Sequence, residues 1–155
     1  FAQIGTALER ADNTARIIDV KYYTLLPSAN FVGSALDNVQ WETILRSVSA
    51  HRSFRWLNAD DMSSANIADF LILDARFPRS LSFSSRIVEE NLNFLAKDYG
   101  FRMPCHDMID AQRDMLRQHN IATIFEEGLH KFINDFITAN NAIGNQIERD
   151  YRFNG

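Results

Sequence analysis

Apolar residues return every three or four positions from Ile4 onward: Ile4, Leu8, Ala11, Ala15, Ile18 and Tyr22 fall on one side of a 3.6-residue helix. The same spacing reappears downstream. Leu81, Ser85, Val88, Leu92 and Leu95 form one later stripe, and Phe125, Leu129, Phe132, Phe136, Ile143, Ile147 and Tyr151 another. The last runs for about seven turns. Strand-like alternation is nowhere sustained, and 155 residues hold only six glycines and three prolines. The pattern predicts an all-α fold, a mostly antiparallel bundle of five to six helices in a single domain spanning residues 1–155.

Local signals mark the expected boundaries. A first helix runs from Phe1 to about Leu26, where Pro27 stops it, and Pro27 to Gly33 reads as a loop. A second, from about Leu36 to Leu57, turns Val39 or Gln40, Ile44, Val48, His51 or Arg52, and Arg55 inward, and Asn58-Ala59-Asp60-Asp61 breaks it. Ser63 or Ser64 caps a short helix through Leu73. Pro78 suits the first position of a helix reaching about Lys97, with Gly100 beyond its end. Pro104 opens the next, to about Gln118, and Thr123 to Glu126 reads as the capping box of the last. The expected core takes Leu8, Ala15, Ile18, Ile44, Val48, Phe70, Val88, Leu92, Phe132, Phe136 and Ile143, with Trp41, Trp56 and the phenylalanines as bulk.

Composition narrows the function classes. A formal charge of −4, spread without a basic block, argues against nucleic acid. No apolar run approaches the roughly 18 residues that span a bilayer, which argues against a membrane. A lone cysteine, Cys105, makes no disulfide framework and points to a reducing, cytoplasmic setting. The chain starts in mid-pattern without an initiator Met, as a fragment would. There is no Gly-rich phosphate loop and no other cofactor motif.

The chemistry-bearing residues concentrate in the first helix. Glu9, Asp12, Asn13 and Arg16 crowd an arc of about 100°, apart from the apolar stripe. Asp12–Arg16 is spaced i,i+4 and Arg16–Asp19 i,i+3, so either pair can form along the helix. One reading is a structural network that fixes the helix to its neighbours, in which Arg16 satisfies carboxylates on both sides. The other is a cleft wall in which Arg16 grips a carboxylate or phosphate with its planar fork. The enzymatic form of the second sets Asp74 or Glu90 opposite Glu9, Asn13 and Arg16, with a carboxylate as general base.

Other motifs are weaker. Asp74 to Ser80, with Arg76 and Arg79, joins a turn to a helix start, either an anion-receiving terminus or a helix–helix corner. Arg86, Glu89 and Glu90 suit local pairing. Glu127-x-x-His130 has the spacing of a di-metal carboxylate site, but the second copy that chemistry needs is missing, so no metal is expected. Cys105-His106 lacks the partners of a thiol nucleophile and reads as core.

The string Leu8-Glu9-Arg10-Ala11-Asp12-Asn13-Thr14-Ala15-Arg16 through Tyr22 resembles the bacterial alpha-E family, an all-helical domain with a Glu-Arg motif. Val32-Gly33-x-Ala35-Leu36-Asp37, Gln40-Trp41, Phe70 to Asp74, Phe77 to Ser80, Glu90-Asn91 and Glu127 to Phe132 are similar to later family blocks. The resemblance implies that this chain is the C-terminal half of a longer protein, with Glu9-Arg10 as its second motif copy. It implies an accessory or scaffolding role beside a circularly permuted ATP-grasp ligase or a transglutaminase-like peptidase, in making or processing a peptide or peptide-like tag. A half of this kind is expected to self-associate or to meet its missing N-terminal half. The alternative is an enzyme or ligand-binding domain with a polar pocket for an amino-acid or peptide carboxylate.

Overall fold

A computed structural model describes residues 1–20, 35–58 and 63–151. Within them every regular element is helical: α1 (Ala2–Val20), α2 (Ala35–Ser47), α3 (His51–Asn58), α4 (Ser64–Ile72), α5 (Leu81–Tyr99), α6 (Pro104–Gln118), α7 (Ile121–Glu127) and α8 (Leu129–Tyr151). The all-α expectation is met. No helix among the described residues is long and apolar enough to cross a membrane. The expected end of the first helix, the Pro27–Gly33 loop and most of the Asn58–Asp61 break lie outside the described residues.

Among the described residues eight helices stand where five to six were expected, because two of the long stretches are interrupted. Val48, Ser49 and Ala50 end α2 in a Schellman turn: Ala50 N–H reaches the Leu45 carbonyl at 2.9 Å and Ser49 N–H that of Arg46 at 3.0 Å, with Ser49 left-handed at φ 57°. Glu42, Arg46 and His51 then bond across the junction. The second interruption is Gly128, at φ 112° between α7 and α8. It lets α8 leave α7 in a new direction.

The caps follow side-chain chemistry closely. Ser63 accepts from Asn66 N–H at the start of α4, and Gly100 closes α5 in the left-handed conformation, both as expected. Two starts differ. The helix expected to begin at Pro78 begins at Leu81, where the Ser80 hydroxyl caps it by accepting from the orphan Phe83 N–H. Asn120 caps α7 by accepting from Thr123 N–H, so Thr123 is the reciprocating third residue of the box, not its first.

The long helices α1, α5, α6 and α8 pack in a ring, α1 on α5 and α8, and α6 on both of those. Their apolar faces close a core containing Ile4, Val88, Leu92, Ile109, Ile143 and Ile147. The short helices α2, α3, α4 and α7 cover one end of the ring and build a second core on Ile44, Phe54, Phe70, Leu71, Phe132 and Phe136. Phe70 stacks on Phe77 with ring centres 4.6 Å apart and meets Phe54 edge-on. Of the stripe positions expected in the core, Leu8 is only partly buried and Ala15, Ile18, Ile44, Val48, Phe70, Val88, Leu92, Phe132, Phe136 and Ile143 are buried, whereas of the phenylalanines expected as bulk Phe1, Phe94, Phe101 and Phe125 are exposed.

The tryptophans part company. Trp41 is buried, whereas Trp56 is 88 % exposed on α3. The break at Ser49 rotates α3 out of the register of α2, and Arg52 and Arg55 face solvent with Trp56 instead of lining the inner side. Val39 and Phe125 are also exposed, although Phe125 meets the edge of Trp41 at 6.5 Å.

Candidate functional site

The polar arc of α1 divides between two sides of the helix. Arg16 Nε donates to Asp12 Oδ2 at 2.9 Å, one helical turn back. That bond and the carboxylate's charge raise the Arg16 pKa. Asp19 turns instead to α8, where His130 Nδ1 lies 2.7 Å from Asp19 Oδ1. Arg16 is therefore not braced from both sides, and its side chain is 58 % exposed.

On one side of α1 an open cleft of about 380 Å³ is lined by Arg10, Asn13, Thr14, Arg16, Ile17, Ser47, Val48 and Arg79. Arg79 enters from the corner between α4 and α5 and donates through Nη1 to the Val48 carbonyl at 3.0 Å. Among the described residues three guanidinium groups thus line the wall, and no carboxylate does. Arg10 makes no hydrogen bond or ion pair among the described residues.

The opposite side carries the reverse charge. A groove of about 520 Å³ between α1 and α8 is lined by Glu9, Asp12 and Glu148, by Asn140, Asn141 and Asn145, and by a floor that includes Ile4, Leu8 and Ile147. Asn140 Nδ2 donates to the Leu8 carbonyl at 3.0 Å and pins the two helices together. Asp12 Oδ1 is buried without a hydrogen-bond partner among the described residues. Glu9 and Arg10 are neighbours in sequence, but a rotation of about 100° per residue sends them to different grooves.

The enzymatic constellation is consequently not assembled. Glu9 lines the other groove from Asn13. Asp74 is engaged in its own turn, accepting from the Arg76 and Phe77 N–H groups and from Arg76 Nη2 at 3.0 Å. With Ser80 Oγ donating to the Asp74 carbonyl, the segment from Asp74 to Ser80 is a self-satisfied helix corner. Glu90 pairs with Arg86 at 3.7 Å along α5, and Glu89 faces Arg113 and Arg117 of α6.

Glu127 and His130 likewise go separate ways, Glu127 to His119 at 2.9 Å and His130 to Asp19 and Asn134. Among the described residues no group of three or more His, Cys, Asp or Glu side chains is placed to hold a metal ion. Cys105 is buried, and burial together with the neighbouring Asp150 pushes its thiol up to about 12. His106 is a buried staple: its Nδ1 accepts from Met103 N–H at 3.0 Å, and its Nε2 donates to the Leu92 carbonyl at 2.7 Å.

Sequence reasoning did not find the α8 wall. Its signal is the amide-rich run Asn140-Asn141-Ala142-Ile143-Gly144-Asn145, followed by a second Glu-Arg pair, Glu148-Arg149.

A family model named Alpha-E, described as a predicted alpha-helical domain with a conserved ER motif, matches residues 1–152. No curated protein and no solved structure matches the chain significantly.

Proposed function

The chain belongs to the Alpha-E family, and on that premise we propose that it is a non-catalytic accessory domain that holds a carboxylate-bearing ligand in the cleft of Arg10, Asn13, Arg16 and Arg79. The observation that carries this reading is the composition of the cleft, three arginines and an asparagine with no carboxylate among the described residues that line it. Arg79 spends one donor on Val48 and Arg16 one on Asp12, and each guanidinium has five. Enough remain to grip a carboxylate in the two-pronged manner that lysine does not match. With no carboxylate among the described residues lining the cleft to serve as general base, the arrangement suits binding more than chemistry.

The partner in this proposal is an ATP-grasp-type ligase or a transglutaminase-like peptidase that makes or processes a peptide or peptide-like tag. That part is supported by the family resemblance alone. A cytoplasmic setting belongs to the same proposal, and a lone, buried thiol suits it.

Calorimetry with an N-acetylated dipeptide tests the cleft. The free acid should bind, and both its C-terminal amide and the Arg10→Ala protein should bind at least tenfold more weakly. Equal binding of acid and amide, or none of either, overturns the reading. Co-purification with the ATP-grasp protein tests the partnership separately.

A further inference from the structure

The arginine cleft does not end at Arg79. One further depression adjoins it, and a second adjoins that one. One, between α1 and α5, shares Arg10 with the cleft and reaches Pro78 and Phe83. The other lies beside α3, shares Pro78, and is lined by Arg52, Ser53, Trp56, Arg76 and Phe77. Arg79 of the cleft is the next residue after Pro78, so all three depressions converge on the same helix corner. Among the described residues no aspartate or glutamate lines any of them, although acidic residues outnumber basic ones, 20 to 16, in the chain. Arg52 makes no ion pair among the described residues, and Arg76 is held in place by Asp74. Trp56 stands one helical turn from Arg52 and lies open to solvent.

We propose that this continuous face docks an extended acidic peptide segment of a partner protein, its terminal or side-chain carboxylate in the arginine cleft and its remaining length crossing Pro78 to lie against Trp56 and Arg52. This deepens the carboxylate-binding reading above and rests on it. Charge complementarity argues for the occupant: a strip of arginines with no carboxylate among the described residues that line it, on a net acidic molecule, attracts a negatively charged chain and orients it. Arginine and tryptophan are also the side chains that most often carry binding energy at interfaces. A peptide fits better than a nucleic acid, because a single exposed tryptophan on a chain of pI about 5.5 supplies neither a stacking platform nor a basic domain.

Fluorescence anisotropy of a labelled ten-residue glutamate-rich peptide, at low salt with the whole chain, tests the proposal. Labelled ten-residue oligolysine and oligothymidylate serve as controls. Arg52→Glu and Trp56→Ala, both on the solvent face of α3 and outside the cleft, should each weaken the acidic peptide at least fivefold. Neither should alter binding of the acetylated dipeptide. Unchanged peptide affinity in both variants overturns the extended face while leaving the cleft standing. Loss of dipeptide and peptide together in unmutated protein overturns both readings. Oligothymidylate binding as tightly as the peptide overturns the choice of partner.

Discussion

Arg79 Nη1 donates to the carbonyl of Val48, 3.0 Å away and 31 positions earlier in the chain. This bond ties the corner that follows α4 to the turn that separates α2 from α3, and it holds one wall of the arginine cleft. Val48 is buried and its carbonyl sits in a turn whose backbone is already folded back on itself, so few other donors can reach it. Arg79→Met keeps the aliphatic stem and removes the donor. It should lower stability by about 1 kcal/mol, measured by urea denaturation, and weaken the acetylated dipeptide. An unchanged urea midpoint would show that water replaces the guanidinium at no cost.

Arg16 separates the two readings of the α1 arc. A network braced by Asp12 and Asp19 would make Arg16→Ala destabilising. The structure gives Asp19 to His130 and leaves Arg16 an exposed, single i,i+4 pair, of the kind that adds little to stability. Arg16→Ala should therefore leave the melting temperature nearly unchanged while weakening carboxylate binding. A large fall in melting temperature would restore the structural network.

Cys105 should be chemically silent in the folded state. Burial and the adjacent Asp150 hold its thiol near 12, so almost none is thiolate at neutral pH. Ellman's reagent at pH 8 should label no thiol in native protein and one per chain in denaturant. Rapid labelling of the native protein would contradict the burial.

His119 supplies a pH dependence with a definite sign. Its Nδ1 lies 2.7 Å from the Met115 carbonyl and its Nε2 2.9 Å from Glu127, so both contacts favour the doubly protonated ring and raise its pKa above 6.5. A raised pKa in the folded state means that the stabilisation is fully present below the unfolded value and is lost as pH rises through the folded one. The stability difference between the unmutated protein and His119→Gln should therefore shrink between about pH 6 and pH 8. A difference that grows over that range would show that the neutral ring is the favoured form.

Gly128 is held at φ 112°, where a side chain strains the backbone, although the nearest neighbour to an added Cβ, Lys131, leaves ordinary contact distance at 3.9 Å. Gly128→Ala should cost about 1–3 kcal/mol through the backbone alone. Gly144→Ala in α8, with ordinary room beside Leu8, serves as the control and should cost far less.

The parts of this molecule legible in its sequence are those decided within one or two helical turns. Ser63 announces a helix start through its hydroxyl, Gly100 and Pro104 announce helix termini through their backbone chemistry, and the stripes of α1, α5 and α8 announce their buried faces. The turn at Ser49 was hidden because serine carries no bias toward positive φ, and an amphipathic pattern continues on either side of it. That one turn also misplaced Trp56, since the facing of α3 depends on a break that periodicity does not register. At the site, the residue types on α1 were readable but their allegiance was not. Asp19 finds His130 across 111 positions, and Asn140 reaches Leu8 across 132. Such pairings belong to tertiary packing.

Seen from outside, α1 works as a partition between an acid-and-amide groove and an arginine cleft. A net charge of −4 would suggest a uniformly repulsive surface toward anions, yet among the described residues the separation puts opposite charge on the two sides of α1. An anionic partner approaching within about one Debye length would be turned toward the cleft before contact. Adding salt should then slow association far more than it speeds dissociation, so that α1 governs the direction of encounter as much as its strength.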